Sequence, residues 1–169
     1  VTDMDHPLGL ALGNALEVHE VLQALDGPCP DDLREVTLAL GVEMLLLAKV
    51  APDAETARST LVRLWQDGVV RQVFRHNIEL QGGDLRVLDD ASLLGRAPHV
   101  VPVEADHGGC VVDVDPLSLG QVVVDLGGGR RQPSDPIDPQ VGIVLKKTLG
   151  DPVHAGDVLA FVHARTAAM

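Results

Sequence analysis

The periodicity of this chain changes near Pro98, and that change constrains the fold more than any other feature. Upstream, apolar residues recur at helical spacing; downstream they gather into short β-branched runs. Ala15, Val18, Leu22 and Leu25 form one helical stripe, opened by Asn14-Ala15-Leu16-Glu17 in a capping arrangement and closed by Gly27-Pro28. Asp31-Asp32 should start a second helix that turns Leu33, Val36, Leu40, Met44 and Leu47 toward a core. The apolar run Met44-Leu45-Leu46-Leu47-Ala48 implies that this helix is buried on more than one side. Asp53 should cap a third helix that ends at Gly68, and a fourth should run from Val69 to Gly82-Gly83, with a short helix or turn between Asp84 and Leu94.

After Pro98, four runs have strand length: Val100 to Val103, Cys110 to Val114, Val141 to Leu145 and Val158 to Val162. Between them Pro116 to Leu126 reads as a helix with proline in its first turn, closed by Gly127-Gly128-Gly129. The expected division is therefore a helical part, 1–96, followed by a β-rich lobe, 97–169, an α+β arrangement.

Trp65, Phe74 and Phe161 are the only aromatic residues, so the core must come from Leu, Val and Ala. Nucleic-acid binding is not expected, because stacking platforms need rings and a net charge of −12 repels a phosphate backbone. The same charge argues against an anionic membrane, and no apolar run reaches the roughly 18 residues of a spanning helix. Cys29 and Cys110 read as two reduced thiols, which with the lack of a signal-peptide pattern suggests a cytoplasmic protein. The opening Val1-Thr2-Asp3-Met4-Asp5 has no start methionine and reads as the end of a strand cut from a longer protein.

Three stretches, in order, resemble the thymidine and pyrimidine-nucleoside phosphorylase family. The first is Thr2-Asp3-Met4-Asp5-His6-Pro7-Leu8-Gly9, continuing through Ala11 and Gly13-Asn14-Ala15-Leu16-Glu17-Val18 to Glu20. The second is Gln81-Gly82-Gly83-Asp84. The third is Leu126-Gly127-Gly128-Gly129-Arg130-Arg131, then Asp135, Ile137-Asp138, Val141-Gly142-Ile143-Val144 and Gly150-Asp151. The resemblance implies a pentosyltransferase of nucleoside salvage that converts thymidine, uridine or deoxyuridine and phosphate into free base and pentose 1-phosphate. It also implies a homodimer, with helices of the family's α/β domain followed by a small barrel-sandwich-like C-terminal lobe.

The family's Lys-x-Ser-Thr-Gly-Gly-Val-Gly-Asp phosphate loop does not occur in this sequence, nor does the Arg, Ser and Lys set that holds the pyrimidine. These 169 residues alone are therefore expected to be inactive, with no catalytic or substrate-binding residue among them. No cofactor is required on this reading. A bound potassium, sodium or calcium ion is implied beside the phosphate loop, with ligands that map onto the carbonyls of Leu8 and Ala11 and the carboxylate of Glu20. Hard cations take oxygen ligands of this kind.

Other features have plainer readings. Arg130 and Arg131 after the glycine triplet suggest an anion cradle, but glycines that end a helix fit a structural or cleft-closing loop better. The seven histidines show no metal-ligand spacing. Lys146-Lys147 is expected at a strand end with both ammonium groups in solvent. Gly150-Asp151-Pro152-Val153-His154-Ala155-Gly156-Asp157-Val158-Leu159 has the rhythm of biotinyl- or lipoyl-carrier turns, yet no lysine follows it. A purely structural module is the remaining alternative.

Overall fold

The computed structural model describes residues 4–167. In chain order the elements are β1 (Ala11–Leu12), α1 (Asn14–Asp26), α2 (Asp31–Leu47), α3 (Ala54–Gln66), α4 (Val69–Leu80) and two short 3-10 turns, Leu85–Leu88 and Ala91–Leu94. They continue with β2 (His99–Glu104), β3 (Gly109–Cys110), α5 (Pro116–Asp125), β4 (Gly142–Leu145), β5 (Pro152–Val153) and β6 (Val158–Ala164). The chain forms two compact units, one of residues 21–91 and one that joins 1–20 to 92–169.

The second of these differs from the expected 1–96 and 97–169 division, and β1 is the reason. Ala11 and Leu12 pair antiparallel with Val144 and Ile143, so the N-terminal segment supplies an edge strand to the sheet. The order is β1-β4-β6-β2, and β3 and β5 form a separate pair. On one face of the larger sheet, Leu119 and Val123 of α5 pack against Ile143, Leu145 and Ala160. Leu126 packs with Val141 and Ala164 beside them, Val141 being fully buried. These contacts hold because α5 begins and ends well. Asp115 accepts the Leu117 N–H at 3.0 Å, Pro116 opens the helix, and Gly127, at φ 95°, closes it. The Gly128 N–H reaches Val123 O at 2.9 Å and the Gly127 N–H reaches Val124 O at 3.0 Å, the paired bonds of a Schellman stop.

Close approach explains Gly13 and Gly142. Both have positive φ, 133° and 154°, and a Cβ on either would collide with backbone of the other's strand. The cap of α1 therefore lies one residue earlier than the sequence suggests. Gly13 O accepts the Glu17 N–H at 2.8 Å, and Glu17 reaches back to the Gly13 N–H at 3.0 Å. Asn14 is left to donate through Nδ2 to Gly128 O at 3.3 Å.

In the unit of residues 21–91, Leu38 and Val42 of α2 and Ala57 of α3 are buried, and Gly41 leaves room for Leu61. Asp53 caps α3 by accepting the Thr56 N–H at 2.8 Å. The Trp65 indole donates to Ala24 O at 2.8 Å, with the Arg34 guanidinium 6.0 Å from its ring centre. The face of α2 expected to point inward does so only in part, with Leu33 and Val36 half-buried. Leu40, Met44 and Leu47 are exposed, because a helix apolar nearly all round gives its periodicity no unique phase. The expected strand from Cys110 to Val114 is also shorter: its register ends at Cys110, and beyond it only Val111 makes backbone bonds to Gly150 and Asp151.

Candidate functional site

Leu8 and Ala11, two of the candidate cation ligands, flank the loop that leads into β1, and Glu20 reaches that loop from α1. Gly9 takes a left-handed φ of 73°, which no side chain adopts easily, and a Cβ there would collide with the Glu20 carboxylate. Glu20, on the second turn of α1, accepts the Leu10 N–H through Oε1 at 2.8 Å. This carboxylate thus sits against the peptide between Leu8 and Ala11. The Leu145 N–H donates to Leu10 O at 2.8 Å, so strand alternation turns the Ala11 carbonyl away from β4 toward the sheet's edge. Leu8 is exposed. Two carbonyls and one carboxylate are the oxygen donors a hard cation takes. Thr2 and Asp3 of the same motif lie outside the described residues.

Arg131, after the glycine triplet, is held by neighbouring carboxylates. Arg131 pairs with Asp125, and Asp135 Oδ2 accepts the N–H groups of Arg131 and Gln132 at 3.0 and 2.8 Å. Amides and guanidinium that an anion cradle would need are therefore satisfied internally by carboxylates. The hydrogen bond from Arg131 holds the Asp125 carboxyl below its usual pKa, with Gln121 adding to the effect. Asp138 is held low in the same way, chiefly by Arg165.

The Gln81-Gly82-Gly83-Asp84 stretch also serves local structure. Asp84 accepts the Arg86 N–H at 3.0 Å and grips the Arg86 guanidinium, which brings its carboxyl down to about 2. Lys147 is not in solvent as expected. It donates to Pro152 O at 2.9 Å and pairs with Asp157 at 3.3 Å, while the Lys146 ammonium lies 5.8 Å from the Phe161 ring centre. Held in this way, neither lysine is displayed at a hairpin tip, which a covalent carrier would require.

Among the described residues no group of three His, Cys, Asp or Glu is placed to hold a metal ion. No helix among them is long and apolar enough to cross a membrane. A cleft of about 260 Å³ opens beside β3, lined by Glu104, His107, Cys110, Val153 and Leu159 among others. The sequence reading also left His19 and His163 scattered. They are distant in the chain and lack ligand spacing; burial, and then the charges of Arg96 and His19, hold the His163 imidazole below its ordinary pKa.

Residues 110–169 match the family described as "Pyrimidine nucleoside phosphorylase C-terminal domain". Across 164 residues, 97% of the chain, it is 39% identical to the pyrimidine-nucleoside phosphorylase of Bacillus subtilis (strain 168) and to that of Geobacillus stearothermophilus. Identity to the enzyme of Staphylococcus haemolyticus (strain JCSC1435) is also 39% over the same length. The chain spans 38% of the length of these relatives.

Proposed function

We propose that the chain forms part of a protein of the pyrimidine-nucleoside phosphorylase family that catalyses reversible phosphorolysis of thymidine, and of uridine and deoxyuridine as well. The observation that carries this reading is the 39% identity to pyrimidine-nucleoside phosphorylases over 97% of the chain. In the reaction a phosphate oxygen attacks the anomeric carbon as the base leaves, and the products are free base and pentose 1-phosphate. Catalysis of this kind depends on positioning and electrostatics more than on proton transfer.

These 169 residues contribute α1 to α5 and the two sheets. They are inactive by themselves, since no phosphate loop occurs in the sequence. The whole protein acts in the cytoplasm as a homodimer. Leu8, Ala11 and Glu20 hold a potassium, sodium or calcium ion, a role supported by the carboxylate seated against Gly9–Leu10. When bound, that ion supplies fixed positive charge. Glu20 orients the loop whether or not the ion is there.

Phosphate-dependent release of thymine and uracil by the full-length protein tests the function. Release of both bases is expected; thymine alone narrows the enzyme to thymidine, and neither base overturns the reading. For the cation, thermal unfolding in potassium against choline chloride should show stabilisation that Glu20→Gln removes. Equal unfolding temperatures in both salts, with sodium and calcium also inert, would refute it.

A further inference from the structure

The two halves of the candidate cation site are held by one stretch of the β-rich lobe. Leu8 and Ala11 flank Leu10, whose carbonyl accepts the Leu145 N–H at 2.8 Å, and Ala11 and Leu12 pair with Val144 and Ile143. Glu20 lies on α1, and the start of α1 has two ties of its own. Asn14 Nδ2 donates to Gly128 O at 3.3 Å, and the Ala15 N–H donates to Pro139 O at 2.8 Å. The stretch that receives all these bonds is itself fixed. Val141 is fully buried against Leu126, and the Asp138 N–H donates to Gly127 O at 2.8 Å. The loop is thus registered on β4, and the helix on the residues just before β4.

Gly142 sets the spacing between these two anchors. A Cβ there would meet Leu12 O, the Leu16 side chain and Gly13 Cα, which belong to β1, to α1 and to the residue that joins them. Any side chain at Gly142 must therefore move the strand against the helix. Asn14 acts at the other anchor. It is exposed and does not cap its own helix, since Gly13 O accepts the Glu17 N–H and Glu17 returns to the Gly13 N–H. Its bond to Gly128 O only ties the helix to the lobe. We propose that Asn14 and Gly142 are positioning residues of the cation site, fixing Glu20 relative to the carbonyls of Leu8 and Ala11 without touching the ion. A carboxylate and two carbonyls must converge on one point, and groups that orient such ligands are worth about 10–100-fold in metal affinity. This role rests on the reading of Leu8, Ala11 and Glu20 as ion ligands, and adds that residues more than a hundred positions later set their spacing.

The test is thermal unfolding of the full-length protein as potassium chloride replaces choline chloride at fixed ionic strength, with sodium and calcium chloride in parallel. A saturable rise in unfolding temperature is expected, and its midpoint reports affinity. Gly142→Ala should move that midpoint up by about tenfold or more. Asn14→Ala, which removes one hydrogen bond, should move it up about threefold and leave the unfolding temperature in choline nearly unchanged. Gly120→Ala, on α5 with open space around it, is the control and should leave the midpoint where it was. If Gly142→Ala does not fold, Asn14→Ala decides by itself. A response to the ion that the folded variants keep at the same midpoint would overturn the positioning role and leave the ion reading intact. No response of the unaltered protein to any of the three ions would overturn both. A midpoint that Gly120→Ala moves as far as Asn14→Ala does would show that it tracks general stability, and would also overturn the positioning role.

Discussion

The two compact units bury apolar surface in different ways. Around the four-stranded sheet, every strand but the outer β2 sends side chains into a core, and Val141, Ile143 and Ala164 are 0%, 3% and 2% exposed. In the helical unit only a few positions are equally covered, while α2 leaves Leu40, Met44 and Leu47 at 57%, 69% and 81% exposure. A sheet closed by one helix can satisfy itself. Helices with more than one apolar side leave a stripe uncovered when their neighbours are few.

The largest test of that contrast is Ile143→Ala, expected to cost about 3 kcal/mol of stability because it empties a site between α5 and β6. Chemical denaturation measures it, and a loss under ~1 kcal/mol would show that the sheet core is looser than the packing indicates. Asp53→Ala comes next. Loss of the α3 cap should cost about 1 kcal/mol and reduce helicity by circular dichroism. An unchanged midpoint would mean that the helical unit does not depend on its local signals.

A pH series separates the units more finely. His19 and His163 have lowered pKa values in the folded chain, so the unfolded chain binds more protons as pH falls through 6.5. Stability around the sheet should therefore decrease below that pH, and His163→Asn should flatten the profile. Asp138, whose pKa is also lowered, contributes stability that is present above 3.8 and lost as pH falls further through its folded value, a second step that Arg165→Gln should diminish. A profile without the histidine step would remove those imidazoles from the account. The smallest effect belongs to Leu47→Ser on the exposed stripe, within about 0.5 kcal/mol in either direction. A large loss there would mean that the stripe is covered.

Much of this was legible in the sequence because the deciding signals are local. Asp53, Pro116 and the Gly127-Gly128 stop identify their helices by chemistry that acts within one turn. The paired residues of β1 and β5 escaped notice because two residues carry no period, and their ladders depend on partners far away in the chain. The phase of α2 was unreadable for the opposite reason, an excess of apolar residues. At the candidate cation site, the resemblance supplied Leu8, Ala11 and Glu20, while only the fold shows Glu20 seated on the Leu10 N–H.

The pairing of Ala11–Leu12 with Ile143–Val144 also has a consequence in time. During synthesis, β1 emerges before its partner, with the whole helical unit made in between. Until β4 appears, one edge of the sheet has no ladder to join, and closing so long a loop carries its entropy cost before any strand contact repays it. The helices, built from near neighbours, can form while the strands wait. Assembly of the sheet is therefore expected to be the slow step in folding, with β1 among its last pieces to settle.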